Sequence, residues 1–260
     1  MAATGEPYSV AARALAADLA LAPAAPGDPA ALAEVIACVG RTLAAASARL
    51  VIQADTDIDR DPEPDLDRRP GLAGRVAGRV VRRLLGPAAA DISVAELRER
   101  VLHQYGAGFI EPAAGRFLVD FGGYAEMLID GRRYGGLSGQ PVGPRHEQRP
   151  HRNRRDDPLD ALRKLQRATE ARWAGTERVR ETTCRVAATR VNDEEFTVWL
   201  DDQRVQRFRT VHHGSGRSGR ATTTETTELW SYGAPVDDLD WTRLPAFRTP
   251  ADGDAAGSAG

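Results

Sequence analysis

The sequence is poor in lysine, in cysteine and in long apolar runs, and each shortage excludes a class of protein. Lys164 is the only lysine, so arginine carries almost all of the positive charge. Acidic residues bring the formal net charge to -2, which gives no overall argument for a nucleic-acid or anionic-membrane partner. The two cysteines, Cys38 and Cys184, are too few for a disulfide framework. We expect both to be reduced, small and half-buried.

No apolar run reaches the 18 residues that a membrane-crossing helix needs. The N-terminal stretch has no basic segment followed by an unbroken apolar segment, because Arg13 and Asp18 interrupt it. The letters VIAC at residues 35–38 match a lipidation motif. However, Asp28 and Glu34 precede them, and a membrane-inserting segment would not contain such charged residues. The sequence as it stands predicts a cytoplasmic protein. Export or lipid anchoring is the alternative if the coding sequence begins further upstream.

The composition is that of a folded chain, with 42% apolar and 28% charged residues over 260 positions. Residues 1–27 are rich in alanine and proline and are interpreted as an appendage. A single domain is predicted over residues 28–248, with a disordered tail at 249–260. Within the domain, residues 55–106 form a charged insertion. Residues 138–157 form a basic linker, rich in proline and glycine, between two halves, and we interpret its arginines as solvated rather than as a nucleic-acid site.

Two helices are marked by the same start signal, an aspartate followed by a proline. Asp28 and Asp157 suit the N-cap, and the proline that follows each suits the first helical position. Apolar residues then recur at helical spacing: Leu32, Val35, Ile36, Val39 and Leu43 in the first helix, and Leu159, Leu162, Leu165 and Trp173 in the later one. A further helix is predicted where Ser93 and Glu96 form a capping box, and its apolar stripe reaches Tyr105.

Alternating apolar residues predict strands in both halves of the chain. Leu50 and Ile52 follow the first helix, and three strands are predicted in the middle, two of them joined by a tight turn at Asp130-Gly131. After the later helix, about five strands succeed one another at short spacing, which is typical of an antiparallel meander. Together the elements predict an α+β fold, with one large antiparallel sheet and helices against one of its faces.

The letters GSGRSG at residues 214–219 match the G-x-G-x-x-G pattern of a dinucleotide-binding turn. That site requires a helix after the glycines, because the helix N-terminus binds the pyrophosphate. The residues that follow, RATTTETTELW, are rich in threonine and typical of a strand. The stretch is therefore predicted to be a hairpin tip between antiparallel strands, and no cofactor is expected.

A metal site is not expected either. Asp55, Asp57 and Asp59 have the spacing of the first ligands of a calcium loop, but Arg60 replaces its glycine and Leu66 its last carboxylate. No cluster of histidines and cysteines has metal-ligand spacing.

Catalytic motifs are also missing from the sequence. It contains no nucleophile elbow of the G-x-S-x-G type and no Walker phosphate loop. Cys184 lies within a predicted strand, without a helix N-terminus or a neighbouring base to activate it. We therefore predict that the protein is not an enzyme.

The order of elements from Asp28 onward resembles the LolA-like superfamily, including the LppX/LprG-type lipoproteins. The resemblance depends on the stretch DPAALAEVIACVGRTLAAASARLVI, on the hairpin VWLDDQRVQRFR and on the closing YGAPVD. It implies a large, strongly curved antiparallel sheet, an incomplete barrel, with helices packed on its concave face. In such relatives the space between sheet and helices is apolar and holds lipid acyl chains. The resemblance supplies no catalytic motif.

The first functional hypothesis is a non-catalytic carrier or sensor that binds an apolar small molecule or lipid between sheet and helices. The residues expected to face the ligand are Leu32, Ile36, Val39, Leu43, Phe117, Leu162, Leu165, Trp173, Phe196, Val198 and Leu200. An ordinary core needs the same residue types. The alternative is therefore a protein-interaction module with a filled core and a protein partner, and the third possibility is an enzyme of unknown type.

Overall fold

A computed structural model describes residues 27–59, 103–148, 157–192, 194–216 and 219–246. Nearly all of the predicted appendage, most of the charged insertion with the start of the helix at Ser93, and the tail at 249–260 lie outside the described residues. The domain boundaries inferred from composition therefore stay a prediction.

Ten antiparallel strands form one sheet, in the order β5-β4-β3-β2-β1-β10-β9-β8-β7-β6. The strands are β1 (Ala48–Asp59), β2 (His103–Glu111), β3 (Arg116–Asp120), β4 (Tyr124–Ile129), β5 (Arg132–Leu137), β6 (Glu170–Val179), β7 (Thr182–Val191), β8 (Glu194–Leu200), β9 (Val205–Gly216) and β10 (Gly219–Trp230). Two five-strand meanders thus meet where β1 pairs with β10, from the Arg49–Trp230 pair to the Asp59–Arg220 pair. Within the described ranges, the edge strands β5 and β6 do not pair with each other, so the sheet stays open. The predicted α+β fold with one large antiparallel sheet is confirmed.

Both predicted helices form behind their aspartate caps. Helix α1 spans Pro29–Leu43, and the Asp28 carboxylate accepts a hydrogen bond from the Ala30 amide at 2.9 Å. Helix α2 spans Pro158–Leu165, and Asp157 accepts one from the Asp160 amide at 2.8 Å. Helix α2 is shorter than predicted, because the chain joins the sheet soon after Leu165. Trp173 therefore lies on β6 and not on the helix.

The region around β2 differs from its prediction. The helical pattern that reaches Tyr105 ends in a strand, because residues 103–110 pair with β1, with Tyr105 opposite Gln53. Four strands, not three, therefore follow the insertion. Strand β1 also continues to Asp59, so the first residues of the predicted acidic insertion belong to the sheet. Long-range pairing has overridden local propensity at both places.

Two hairpins agree with their predicted turn chemistry. Asp130 and Gly131 both have positive φ, at 50° and 72°, as a two-residue turn between β4 and β5 requires. At the glycine-rich stretch, Gly216 pairs with Gly219 and β10 continues from there, so the hairpin is confirmed and no helix follows it. The loop is shorter than expected, since residues 214–216 still belong to β9.

One face of the sheet, here called the inner face, packs on both helices. A flat sheet of ten strands would be about 43 Å wide at about 4.8 Å per strand, whereas two helices side by side cover about 20 Å. Inner-face residues as far apart as Leu128 on β4 and Ala187 on β7 are nonetheless buried in one apolar cluster with the helices. This is the arrangement of a sheet that curves around α1 and α2.

The opposite, outer face carries smaller clusters. Over β3 to β5, Leu118, Met127 and Leu244 form one of them, under a turn at Pro144–His146 and the segment after β10. The Val142 amide donates to the Thr242 carbonyl at 2.8 Å and ties these two segments together. The part of the basic linker up to residue 148 is therefore held against the sheet, with His146 buried, while Arg145 is exposed as predicted.

Candidate functional site

The inner face is apolar where it meets the helices. Strand register places Leu50 opposite Leu229, and Val198 between Phe208 and Ala187. All five of these residues are at most 2% exposed. Helix α1 packs on β6 to β9 and on α2, so this apolar layer lies between sheet and helices, where the sequence predicts a ligand.

The predicted ligand-facing residues fall into two groups by burial. Those that are almost fully buried in the inner cluster are Val39, Phe117, Leu162, Leu165, Phe196, Val198 and Leu200. Leu32, Leu43 and Trp173 are half-buried and pack against the same cluster, whereas Ile36 is half-buried on α1 and is not part of that packing. The structure thus brings all of the predicted set except Ile36 to one layer, and the facing of a ligand by any of these residues stays a prediction.

Helix α1 has two unlike flanks. At 100° per residue, Leu32, Ile36 and Leu43 lie on one side of its buried face, and we call them the apolar flank. The opposite flank is polar: Arg185 on β7 donates to the Glu34 carboxylate at 2.6 Å, and Arg41 donates to the Gln203 carbonyl at 2.6 Å. The helix is therefore fixed to the sheet on its polar side and presents half-exposed apolar side chains on the other.

One buried polar side chain that connects α1 to the sheet was not predicted from the sequence. Thr42 is fully buried; its hydroxyl donates to the Cys38 carbonyl at 2.9 Å and accepts from the Val205 amide at 3.0 Å. It thereby joins the last turn of α1 to the first residue of β9. Its spacing of four residues from the buried Cys38 was the available signal, but a threonine on a helix gave no reason to expect burial.

Both cysteines are free and fully buried, more than the half-burial expected. Burial raises the pKa of the Cys38 thiol, against the opposing effect of Arg41, whose guanidinium lies 3.1 Å from the sulfur. Burial also raises the pKa of Cys184 to about 11. Neither sulfur is therefore a thiolate near neutral pH, and neither is suited to nucleophilic attack.

The inner face has a polar end, which was not predicted from the sequence. We give this name to Thr56, Thr210, His212, Thr223 and Glu225, which the register places side by side on β1, β9 and β10. The Thr56 and Thr223 hydroxyls are 3.0 Å apart, and the Thr210 hydroxyl lies 3.2 Å from Nε2 of His212. The alternation in TTTETTE contains the signal, but only the register decides which of these side chains face inward.

An acidic and basic pair borders the inner face at the other edge of the sheet. Arg133 on β5 donates to the Glu126 carboxylate on β4, and both side chains are less than a fifth exposed. Asp157, the cap of α2, lies near them and is 5% exposed. Burial raises the pKa of Asp157 to about 6, although the hydrogen bond from the Asp160 amide and the charge of Arg133 act in the opposite direction.

Neither a metal site nor a membrane-crossing helix is found in the described part of the chain. No three histidine, cysteine, aspartate or glutamate side chains converge there as a ligand set for a metal ion. None of the described helices has the length and apolar character to cross a membrane.

No protein-family model matches the chain, and no curated protein matches it. Solved structures that resemble it include the lipoprotein LppX of Mycobacterium tuberculosis, with 12% identity and a TM-score of 0.37 over 80% of this chain and 98% of that one. LprF from Mycobacterium bovis has 10% identity and a TM-score of 0.39, over 85% and 99% of the two chains. A putative outer membrane lipoprotein-sorting domain from Vibrio parahaemolyticus has 9% identity and a TM-score of 0.27, over 80% and 96%.

These structures are of the LppX and lipoprotein-sorting kinds that the sequence resembles. Since all three TM-scores are below 0.5, the function proposed below depends on the geometry of this chain alone.

Proposed function

We propose that the protein is a non-catalytic carrier or sensor that binds an apolar ligand, a lipid or an acyl chain, between the inner face and the two helices. The observation that carries the proposal is the apolar flank of α1. Leu32 and Leu43 remain half-buried although they pack against a cluster whose other members are almost completely buried. Covering them would be favourable at about 25 cal/mol per Å² of apolar surface, and a bound hydrocarbon chain would supply that cover.

Trp173 supports the same proposal from the sheet. It lies on β6, half-buried, and packs against the inner cluster. The Arg185 guanidinium stacks 3.5 Å from its ring centre and is itself held by Glu34 of α1. Helix, arginine and indole therefore form a fixed rim beside the apolar layer, and a rigid rim with an apolar interior is typical of ligand-binding clefts.

The direct test is a titration of the purified full chain with N-phenyl-1-naphthylamine, an uncharged dye whose fluorescence rises in apolar sites. We expect saturable binding that decanol displaces. Ile36→Gln should weaken dye binding at least fivefold, because it places an amide in the apolar flank. Ala37→Gln is the matched control: it adds the same side chain one residue away at an exposed position and should leave binding within twofold of the wild type.

Native mass spectrometry gives an independent readout of the same proposal. Protein purified without detergent should carry adducts with the masses of lipids. A protein that shows neither such adducts nor saturable dye binding, while circular dichroism reports a folded sheet, would refute the carrier.

The alternative is a protein-interaction module with a filled core. Phe117, Leu162 and Val198, at no more than 1% exposed, are as well buried as in any ordinary core. In that case the dye does not bind, and Ile36→Gln and Ala37→Gln differ only in thermal stability.

For the cellular compartment, we propose the cytoplasm, as the sequence predicts, and export is the alternative. Fractionation of cells that produce the tagged full chain distinguishes the two.

A further inference from the structure

The two edges of the sheet are protected to different degrees. Along β5, the Gln148 amide donates to the Arg133 carbonyl at 2.8 Å, so the chain itself covers that edge. At the start of β6, the Asp28 amide donates to the Ala171 carbonyl at 2.8 Å. Folded proteins commonly cover their sheet edges, because a row of unpaired N–H and C=O groups invites another strand. The exception here is the second half of β6.

This second half has backbone groups that point away from the sheet. The turn at residues 180–181 closes on the pair Val179–Thr182, so the C=O group of Val179 points to β7. Because these directions alternate along a strand, the N–H and C=O groups of Thr176 and Arg178 point away from β7. Within the described ranges no backbone group bonds to them, and both residues are exposed. They form an open edge.

The open edge is short, and it does not suit a second copy of the chain. The register of β6 with β7 shifts between Trp173 and Gly175, and such a bulge interrupts regular pairing. An added strand would therefore pair with Thr176 and Arg178. In a symmetric pair of two copies over these residues, the two Glu177 side chains would face each other as like charges, which is unfavourable. The edge instead suits a short, extended segment of a different protein.

Arg178 determines the charge of such a segment. The side chains of Thr176 and Arg178 point to the inner side, since Thr176 pairs with Arg185, whose guanidinium donates to Glu34 on α1. Nε of Arg178 donates to the Arg180 carbonyl at 3.1 Å, and among the described residues no carboxylate forms an ion pair with this guanidinium. An exposed cation of this kind favours an acidic residue at the position opposite it on the added strand.

Trp173 offers an apolar contact at the other end of the open edge. It lies just beyond the bulge and is half-buried, and the Arg185 guanidinium stacks 3.5 Å from its ring centre. The indole is thus held in place while part of it remains accessible. Tryptophan and arginine are the residue types that most often dominate the binding energy of protein interfaces.

We infer that the open edge of β6 is a docking site for an extended acidic segment of another protein. The segment adds antiparallel to β6, as β7 does on the other side. It places a carboxylate opposite Arg178, a β-branched residue opposite Thr176 and an apolar side chain beside Trp173. Backbone hydrogen bonds supply the affinity and the alternate side chains supply the specificity. The inference goes beyond the carrier function and does not depend on it.

The test is a titration of an end-blocked, fluorescein-labelled peptide with the full chain, followed by fluorescence anisotropy. The peptide carries glutamate, threonine and leucine at alternate positions, and we expect saturable binding. A second peptide with glutamine in place of the glutamate should bind the wild type at least fivefold more weakly. Arg178→Ala should bind both peptides equally. Arg145→Ala, which removes an exposed arginine from the turn at Pro144–His146, is the matched control and should keep the preference.

Two changes to the backbone test strand addition itself. Thr176→Pro removes an N–H group that points away from β7, and proline is tolerated at such positions of edge strands. The variant should therefore melt like the wild type but bind the peptide at least tenfold more weakly. Methylation of the threonine amide in the peptide removes the donor to the Thr176 carbonyl without changing the protein. It should weaken binding to a similar extent, whether or not Thr176→Pro folds.

Each contrary outcome overturns the inference. If neither peptide binds, or if the methylated peptide binds like the unmethylated one, no strand is added to this edge. If Arg178→Ala keeps the preference for glutamate, the arginine only guards the edge against aggregation. If the full chain sediments as a dimer that Thr176→Pro dissociates, the edge pairs a second copy rather than a partner. None of these outcomes changes the binding of N-phenyl-1-naphthylamine, so the carrier function is tested separately.

Discussion

Asp157 makes the stability of the protein depend on pH in a way that a single variant can isolate. Its carboxyl group caps α2 and is 5% exposed. Burial raises its pKa from 3.8 to about 6. As the pH rises, the unfolded chain loses this proton near pH 4, whereas the folded protein keeps it until about pH 6. The free energy of unfolding therefore falls between these values. One pKa unit corresponds to about 1.4 kcal/mol, so the loss approaches about 3 kcal/mol and is complete above pH 6.

The variant that tests this is Asp157→Asn. Asparagine still accepts the Asp160 amide and is an equally good cap, but it does not ionise. Relative to the wild type, the variant should gain up to about 3 kcal/mol of stability between pH 4 and pH 7. Urea denaturation followed by circular dichroism at unit steps of pH gives both curves, and their difference removes the contributions of all other groups.

Asp130→Asn provides the matched control. Asp130 is an exposed turn residue with φ of 50°, a conformation that asparagine adopts readily, so its difference from the wild type should be flat over the same range. If Asp157→Asn runs parallel to the wild type as well, the carboxyl group has an ordinary pKa and the reasoning from burial is refuted.

Two further predictions concern the sheet itself. Arg207 on β9 is 5% exposed and donates hydrogen bonds to Glu177 at 2.9 Å and to Glu228 at 2.7 Å. Arg207→Ala should cost about 1.5–3 kcal/mol in urea denaturation, because hydrogen bonds between charged groups are lost, while Trp199 and Arg180 still contact the two carboxylates. A cost below about 1 kcal/mol would contradict this. A Cβ on Gly108 would lie 1.9 Å from the Leu118 carbonyl oxygen. Gly108→Ala should therefore abolish soluble folded protein, whereas Gly143→Ala, with no atom within 4 Å, should melt like the wild type; equal melting temperatures would refute the clash.

Local signals in the sequence were sufficient where a short stretch determines its own structure. The Asp-Pro starts of α1 and α2, the Asp130-Gly131 turn and the C-terminal meander could all be predicted, because capping, positive φ and alternation act over a few residues. The glycine-rich match to a dinucleotide site could be dismissed for the same reason, since the strand after it is a local property.

Features that depend on distant partners could not be predicted. Tyr105 belongs to a helical pattern but lies in β2, because β1 is there to pair with it. Trp173 continues the spacing of α2 but lies on β6, because the chain has already joined the sheet. The polar end of the inner face depends on which side of β10 faces the helices, and this is decided by register across strands far apart in the chain. The apolar site could be named as a set because burial follows from residue type, whereas its polar end could not.

The junction of β1 with β10 has a consequence for how the chain is made. Strand β1 ends at Asp59 and β10 begins at Gly219, so roughly 160 residues separate the two pairing partners. At about 5–20 residues per second, the ribosome needs about 8–30 s to synthesise that stretch. During this time β2 can pair with one side of β1, but the N–H and C=O groups of its other side have no strand to bond and could recruit a second nascent chain. The last strand to be made is thus the one that closes this aggregation-prone edge.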